Sequence, residues 1–501
     1  MKQNKGDDIL IIGAGYAGLS AAITLASHGR KVTVVEKHST TGGRSRAFTE
    51  NGFTFDMGPS WYWMPEVAEG FFNRNGRNIE DYMSLVRLDP SYQVIFENNE
   101  AVELPASFAG ICSLFESIEK GAGAQLEKFM QEAEYKYRTA MKTYIHKPGL
   151  HFNELCSMEV LQSVLKMDML QSFSNHIKRY FKHEKLLKII EFPILFLGAT
   201  ADKIPAMYSM MNYADMKLGT WYPMGGMVRL AKAMTTLAIE KGVTFLLDTE
   251  VERLEVVGNK VSGAYTGKGF LPADIVISGA DYHHTDRELL PAEKSNYSEK
   301  YWEKRVMAPS CLIYYIGVNR VLPGLQHHNL FFNHDLRQHA DAIYTNPSWP
   351  GQPLFYLCCP SKTDVGVAPP GMENLFYLIP TAPGLADTPA IRERYLELVL
   401  KETASYCGQD FSGDIISSRS YAYSNFLSDY HAYKGNAYGL ANTLGQTAFL
   451  KPSIRHKKLH NLFFTGQLTV PGPGVPPAIL SGEMVAQHIL RQKIVKHEIT
   501  L

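Results

Sequence analysis

Gly13-Ala14-Gly15-Tyr16-Ala17-Gly18 constrains this chain more than any other stretch. It sits between a short apolar run, Ile9 to Ile12, and a segment rich in helix formers, Ala17 to Ala26. Lys31 to Val35 is β-branched and ends at Glu36. The pattern predicts strand, tight turn, helix and strand, the opening of a parallel α/β layer. Gly13, Gly15 and Gly18 permit the turn, and the helix N-terminus offers free N–H groups and partial positive charge to a pyrophosphate. Glu36, about 20 residues on, stands where a carboxylate accepts a ribose hydroxyl. The competing reading is a glycine-rich turn before a core helix. Strand, helix and acid in register point instead to a bound dinucleotide.

At 501 residues the chain is too long for one ordinary core, and two or three domains are expected. Basic and acidic residues number 50 each, so no net field points to nucleic acid, and no acidic excess suggests disorder. Cys112, Cys156, Cys311, Cys358, Cys359 and Cys407 are scattered and form no CxxC pair. That argues against a disulfide framework or a zinc site and fits a reducing compartment. No cleavable leader is expected, because the polar start runs directly into Ile9. No uncharged apolar run reaches the roughly 18 residues of a membrane span. The longest candidate, Phe192 to Ala201, is too short and contains Pro193. Any membrane contact is therefore expected to be peripheral.

Beyond the first forty residues the chain reads as mostly helical near 110 to 200 and as short strands from 243 to 280. Strands are expected near Leu312 to Val318 and Leu375 to Leu378, and a helix from Thr388 to Tyr406. The end reads as a strand, Leu462 to Phe464, a Gly/Pro-rich loop, and a helix from about Ala478 to Leu490.

Further motifs carry chemistry. Gly42-Gly43-Arg44-Ser45 and Asp56-Met57-Gly58-Pro59-Ser60 combine small residues that let a cofactor approach with an arginine that can donate to a phosphate or ribityl oxygen. Alone, they read equally well as two surface turns. The run from Gly13 through Arg44 to Trp61 resembles the FAD-dependent carotenoid desaturases, the bacterial phytoene desaturase group within the amine-oxidase-like flavoproteins. Thr220-Trp221-Tyr222-Pro223-Met224-Gly225-Gly226 looks like that family's W-[YF]-P-x-G-G segment. Ala273 to Asp281 looks like its ADxVVxNAD stretch, departing at Gly279, and His327 to Phe332 resembles its HHxxxF element. Gly466 to Pro476 resembles its C-terminal flavin signature. The helix after that signature could turn its N-terminus to a flavin carbonyl and stabilise charge on the ring.

The resemblance implies FAD as cofactor, held by Gly13, Gly15, Gly18, Glu36, Gly43, Arg44, Gly58, Pro59, Ser60, Val251, Gly466, Gly474 and Val475. Val251 matches the position whose backbone usually holds the adenine. The implied fold is α/β: a Rossmann-like FAD-binding domain from residues 1–95, 213–301 and 435–501, a largely helical substrate and membrane-associating region over 96–212, and an α+β substrate region over 302–434. The implied reaction is desaturation of phytoene toward lycopene or an intermediate, by hydride transfer to flavin and loss of a neighbouring proton. Rivals are another carotenoid substrate (dehydrosqualene or a hydroxylated carotenoid), polyene isomerisation, and amine oxidation. No second GxGxxG follows a strand, so electrons are expected to pass to oxygen or a membrane quinone. The implied location is cytoplasmic, peripherally on a membrane, and the implied partners are an apolar polyene and the bilayer surface, with no nucleic acid.

Several other residues admit two readings. Adjacent histidines point different ways in a helix or strand, so His327 and His328 are not expected to hold a metal. Cys358 and Cys359 read as small core residues. Tyr421, Tyr423 and Tyr438 could line an apolar tunnel, with aromatic core as the default. No catalytic base is assigned; Asp56 is the candidate, and a turn cap is its plainer role. Leu161, Val164, Leu165, Leu170, Phe173, Ile177, Phe181 and Leu187 recur at largely helical spacing beside Lys178, Arg179, Lys182, Lys185 and Lys188. That is the pattern of a helix lying in the headgroup region, or of a core-facing helix with a solvated basic face. With a bilayer-resident substrate the first reading is expected, extended by Ile194 to Leu197 at a tunnel mouth.

Overall fold

The computed structural model describes residues 7–145, 148, 167–169 and 171–498. Strand Asp8–Ile12 turns into helix Tyr16–Ser27, and strand Lys31–Val35 returns parallel to the first, Ile9 opposite Val32. Segments distant in sequence complete this sheet. Its order is Leu462–Phe464, Ile275–Ser278, Asp8–Ile12, Lys31–Val35, Thr244–Leu246, and every pairing is parallel.

A parallel sheet is covered on both faces, which is why its strands read as continuous apolar runs. Ile9 and Ile11 pack with Leu19, Ile23, Met234 and Val485, from the helices Tyr16–Ser27, Val228–Glu240 and Val475–Glu498. The alternate residues Leu10 and Ile12 pack on the other face against Val251, Leu254 and Val261, from strands Val251–Val257 and Lys260–Thr266. The first and last helices touch through small residues. A Cβ on Gly482 would stand 2.1 Å from the Ala17 carbonyl oxygen.

The second layer is a seven-stranded sheet in the order Ile415–Tyr421, Ser310–Val318, Glu373–Thr381, Phe355–Cys358, His328–Phe331, Tyr92–Ile95, Ala101–Leu104. Only the His328–Phe331 and Tyr92–Ile95 pair is parallel. Successive residues face opposite sides. Ile313, Tyr315, Tyr356, Cys358, Phe376 and Leu378 face one core cluster. Leu312, Tyr314, Phe355, Leu357, Leu375 and Tyr377 face another, closed by helix Pro389–Cys407 through Tyr395 and Val399. Cys358 and Cys359 are both buried core residues, one on each side.

The basic amphipathic segment departs from expectation. Where described it forms two short helices, Phe173–Ile177 and Glu184–Glu191. Phe173, Ile177 and Phe181 are each 0% exposed. Phe181 meets Phe115 and Phe129 at ring-centroid distances of 5.5 and 5.9 Å. Helices Phe108–Ile118 and Ala122–Thr139 thus cover the described part of the stripe, Phe173, Ile177 and Phe181, which faces the core rather than lipid. Of its cations, Lys185 pairs with Glu100 and Lys188 with Glu184. Leu161, Val164, Leu165 and Leu170 lie outside the described residues. Among the described residues no helix is long and apolar enough to cross a membrane.

Candidate functional site

The carboxyl ends of the parallel strands open into a cavity of about 700 Å³, where strand order reverses beside the first strand. The GxGxxG turn forms its floor. The Gly13 N–H bonds Val35 O at 2.8 Å and holds the turn against the second strand. Gly18 is needed for close packing: its Cβ would lie 2.0 Å from Gly13 O. Gly15 differs. Its φ of −74° suits any residue, and a Cβ there would meet nothing within 4 Å. The space above Gly15 is open cavity at the N-terminus of helix Tyr16–Ser27, where a phosphate would sit.

Glu36 is 5% exposed and fixed by two backbone donors, Ala14 N–H to Oε2 at 2.8 Å and His38 N–H to Oε1 at 3.0 Å. Its remaining lone pairs border the cavity. Val251 also lines this end, with Thr249 tied to Glu36 O at 2.9 Å. Two residues overlooked in the sequence stand beside them. His284 stacks on His431 at 4.0 Å between ring centroids, and burial lowers His284 to about 4.

Gly43, Arg44, Gly58, Pro59 and Ser60 form one wall, and Gly466, Gly474 and Val475 face them. Gly42 N–H bonds Ala14 O at 2.9 Å, which sets the Gly43–Arg44 turn over the GxGxxG loop. The Arg44 guanidinium lies 4.8 Å above the Tyr430 ring, reaches Asn436 O at 3.5 Å, and leaves a buried Nε without a partner among the described residues. Asn436 Oδ1 in turn accepts from Gln467 Nε2 at 3.0 Å, coupling this wall to the C-terminal loop. The C-terminal helix begins at Val475, three residues before the expected start at Ala478. Pro476 and Pro477 lack N–H groups, and Ala478 N–H is taken by Gly474 O at 3.0 Å. That leaves the Val475 N–H as the free donor of the helix's first turn, on a residue that lines the cavity.

These features fit a flavin dinucleotide. The cradle has a vacant volume over Gly15, a carboxylate for ribose, an orphan arginine donor and a helix N-terminus at the far end. Gly18 does not line the cavity; it shapes the turn that does.

Asp56 lies elsewhere. Its Oδ2 accepts Met227 N–H at 2.7 Å and its Oδ1 accepts Val228 N–H at 3.0 Å, capping the helix Val228–Glu240. Burial pushes its carboxyl up to about 7, but it has no face on the large cavity. The capping role is the one it plays.

The opposite end of the same cavity is apolar. Trp61, Met207, Met211, Ile313, Tyr356 and Leu378 line it. No single motif announced them, because they come from a loop, two consecutive helical segments and three strands. Tyr421 and Tyr438 stand on the cavity wall, and Tyr423 does not. Leu197 also lines it, while Ile194 is 0% exposed in the core. Phe449 and Leu450 lie on the wall, and Leu450 is 41% exposed.

His327 and His328 do not diverge as adjacent strand residues should. His327 stands just before its strand, so the two rings meet at 4.5 Å in a T-shape, and one nitrogen of each lies within 4.8 Å of Cys358 Sγ. Burial pushes Cys358 up to about 12 and His327 down to about 3, which leaves both neutral.

Comparison with known proteins agrees with the fold and with a flavin cofactor. The model of the family described as flavin containing amine oxidoreductase matches residues 16–490. A carotenoid 3,4-desaturase of Haloarcula japonica is 38% identical over 98% of this chain and 99% of its own length. A zeta-carotene-forming phytoene desaturase of Myxococcus xanthus is 29% identical over 97% of this chain and 94% of its own. Among solved structures, putrescine oxidase bound to putrescine superimposes with a TM-score of 0.64 at 14% identity, covering 97% of this chain and 99% of that one.

Proposed function

From the premise that this chain belongs to the flavin-containing amine oxidoreductase family, as an FAD-dependent oxidoreductase akin to the carotenoid desaturases, we propose that it desaturates a carotenoid hydrocarbon. The observation that carries this reading is the single cavity with two chemically distinct ends. One is a dinucleotide cradle and the other an apolar channel in which, among the described residues, no carboxylate stands to attract an amine.

In this reading Gly13 and Gly15 bring backbone to the pyrophosphate while Gly18 packs the turn. Glu36 accepts ribose hydroxyls, and Val251 borders the adenine. Gly43, Arg44, Gly58, Pro59 and Ser60 flank the middle of the cofactor, and Gly466, Gly474 and Val475 meet its ring. FAD, when bound, supplies the hydride acceptor. The residues Trp61, Ile313 and Leu378 exclude water and hold the chain of the substrate straight against the ring, so that positioning supplies much of the rate. The domain division proposed is 1–91, 213–301 and 435–501 for the cofactor and the remainder for the substrate. Its first boundary moves forward because Tyr92–Ile95 pairs with the substrate sheet.

Phytoene, converted toward lycopene, is the substrate supported by the Myxococcus relative. A second reading, 3,4-desaturation of a more conjugated carotenoid, has a specific observation behind it: the higher identity, 38%, to the Haloarcula enzyme. Electrons then pass to oxygen or a quinone, and the protein works in peripheral contact with the bilayer that holds its substrate. The half-exposed Leu450 beside the cavity supports a lipid-facing mouth. Product analysis in two bacterial hosts, one accumulating phytoene and one accumulating lycopene, tests both readings. New conjugation in the phytoene host supports the first, and new conjugation only in the lycopene host supports the second. No change in either host overturns the carotenoid assignment.

A further inference from the structure

Beside the apolar half of the cavity stands a buried donor–acceptor pair, Tyr356 and His328, whose tyrosine hydroxyl also meets Ser60 and Cys358. Tyr356 lines the cavity, and its hydroxyl lies 2.6 Å from His328 Nδ1. Neighbouring antiparallel strands fix the pair, with Leu330 opposite Tyr356 and His328 opposite Cys358. His328 is 0% exposed and stacks on Trp61, with 4.0 Å between ring centroids and 14° between planes. Its Nε2 has no hydrogen-bond partner among the described residues. Burial holds the imidazole neutral, well below its usual titration range. In the tautomer with the ring proton on Nε2, Nδ1 accepts from the Tyr356 hydroxyl.

Two other hydroxyls on the cavity wall are held differently. Tyr208 meets Thr447 Oγ1 at 3.4 Å. Tyr421 donates to Asp429 Oδ2 at 3.0 Å, but that carboxylate is already paired with Arg46 at 2.9 Å.

We propose that Tyr356 accepts the proton lost in desaturation and that His328 is the base behind it. This rests on the carotenoid reading of the cavity. Loss of hydride, with its electron pair, from one carbon leaves an allylic cation on the substrate; bound FAD would be the acceptor of that hydride. The C–H bond on the adjacent carbon then breaks, and its electron pair becomes the new C=C π bond. The proton goes to the Tyr356 oxygen while the tyrosine's own proton passes to His328 Nδ1. The positive charge moves from substrate to imidazole, and it discharges through Tyr356 to water when product leaves. A proton beside a polyenyl cation is a far stronger acid than an imidazolium, so weak basicity is sufficient. A neutral acceptor is also the right one, since a carboxylate in the same place would bond to the cation and trap it.

The test uses the FAD-loaded enzyme, the polyene that the wild type turns over, and the same polyene deuterated at the proton-losing carbon. Tyr356→Phe and His328→Gln are each expected to lower kcat about 100-fold, within the usual contribution of acid–base groups. KM, FAD content and melting temperature should stay unchanged, and the deuterium isotope effect on kcat should grow as proton loss becomes limiting. Wild-type kcat in Tyr356→Phe overturns the assignment. A lowered kcat with an unchanged isotope effect, or with lost FAD, assigns both residues a structural part only and overturns it as well. Absence of turnover by the wild type on every polyene tried would overturn the desaturase reading itself, and this proposal with it.

Discussion

Gly15 and Gly18 look alike in sequence, yet they serve different ends. Gly15→Val places its side chain in open cavity at an ordinary φ, so the fold should hold while FAD is lost. Gly18→Ala drives a Cβ into Gly13 O at 2.0 Å and should lower the melting temperature as well. Flavin absorbance per protein and a thermal melt separate the two, and a Gly15→Val protein that keeps its flavin would sink the assignment of that space. The spacing of the glycines and of Glu36 was legible because the motif is local. Asp215 was not, because its partners are Tyr92, at 2.8 Å, and Thr220, at 3.3 Å, and the burial that matters is tertiary. Burial pushes the Asp215 carboxyl from 3.8 up to about 7. A carboxyl raised in the folded state binds more protons there than in the unfolded chain, so its contribution is most favourable below pH 4 and is lost as pH rises to 7. Asp215→Asn keeps an acceptor for Tyr92 and removes this ionisation. It should stabilise the protein at pH 8, by up to about 4 kcal/mol from a shift of about three units, and have little effect at pH 4. Equal effects at both pH values in urea melts would count against it.

Whole elements were read well wherever pattern and packing agree. The strands Asp8–Ile12 and Lys31–Val35 and the helix Pro389–Cys407 lie where the sequence puts them. The strands Tyr92–Ile95 and Ala101–Leu104 escaped notice, since four residues give periodicity little to work with. Gly482 was overlooked too, although Ala17 and Ala21 opposite it mark a close helix crossing. Gly482→Ala should separate the first and last helices and cost at least the roughly 1–3 kcal/mol of an overpacked core. A melting curve indistinguishable from wild type would refute that crossing. The basic segment went wrong for a general reason: an amphipathic stripe reports that one face is buried, not what buries it. Phe173→Glu with Phe181→Glu therefore inserts two carboxylates into a closed aromatic core rather than removing a lipid contact. The double variant should unfold cooperatively at markedly lower urea, and a normal urea midpoint with reduced liposome binding would restore the membrane reading.

At the scale of the molecule, the sequence showed that cofactor-binding segments recur at the two ends and in the middle of the chain. It could not show that a sheet from those segments and a sheet from the intervening ones would share one cavity. That depends on how two layers pack, and neither layer's periodicity encodes it. The shared cavity makes the two ends separable by mutation. Met211 lies on the apolar wall, partly exposed, on the short helix Met210–Met216 and far in sequence from every cofactor motif. Met211→Trp adds bulk to that wall without touching the cradle. If a long rigid polyene must thread this half to reach the ring, kcat/KM for a full-length carotenoid should fall by tenfold or more, about 1.4 kcal/mol in transition-state binding. FAD content and the spectrum of the bound flavin should not change, and a shorter polyene should lose less. Equal losses for long and short substrates would mean that the substrate does not run along this wall. Loss of the flavin would mean that the two ends are not independent, and the division of labour inferred from the cavity would fail.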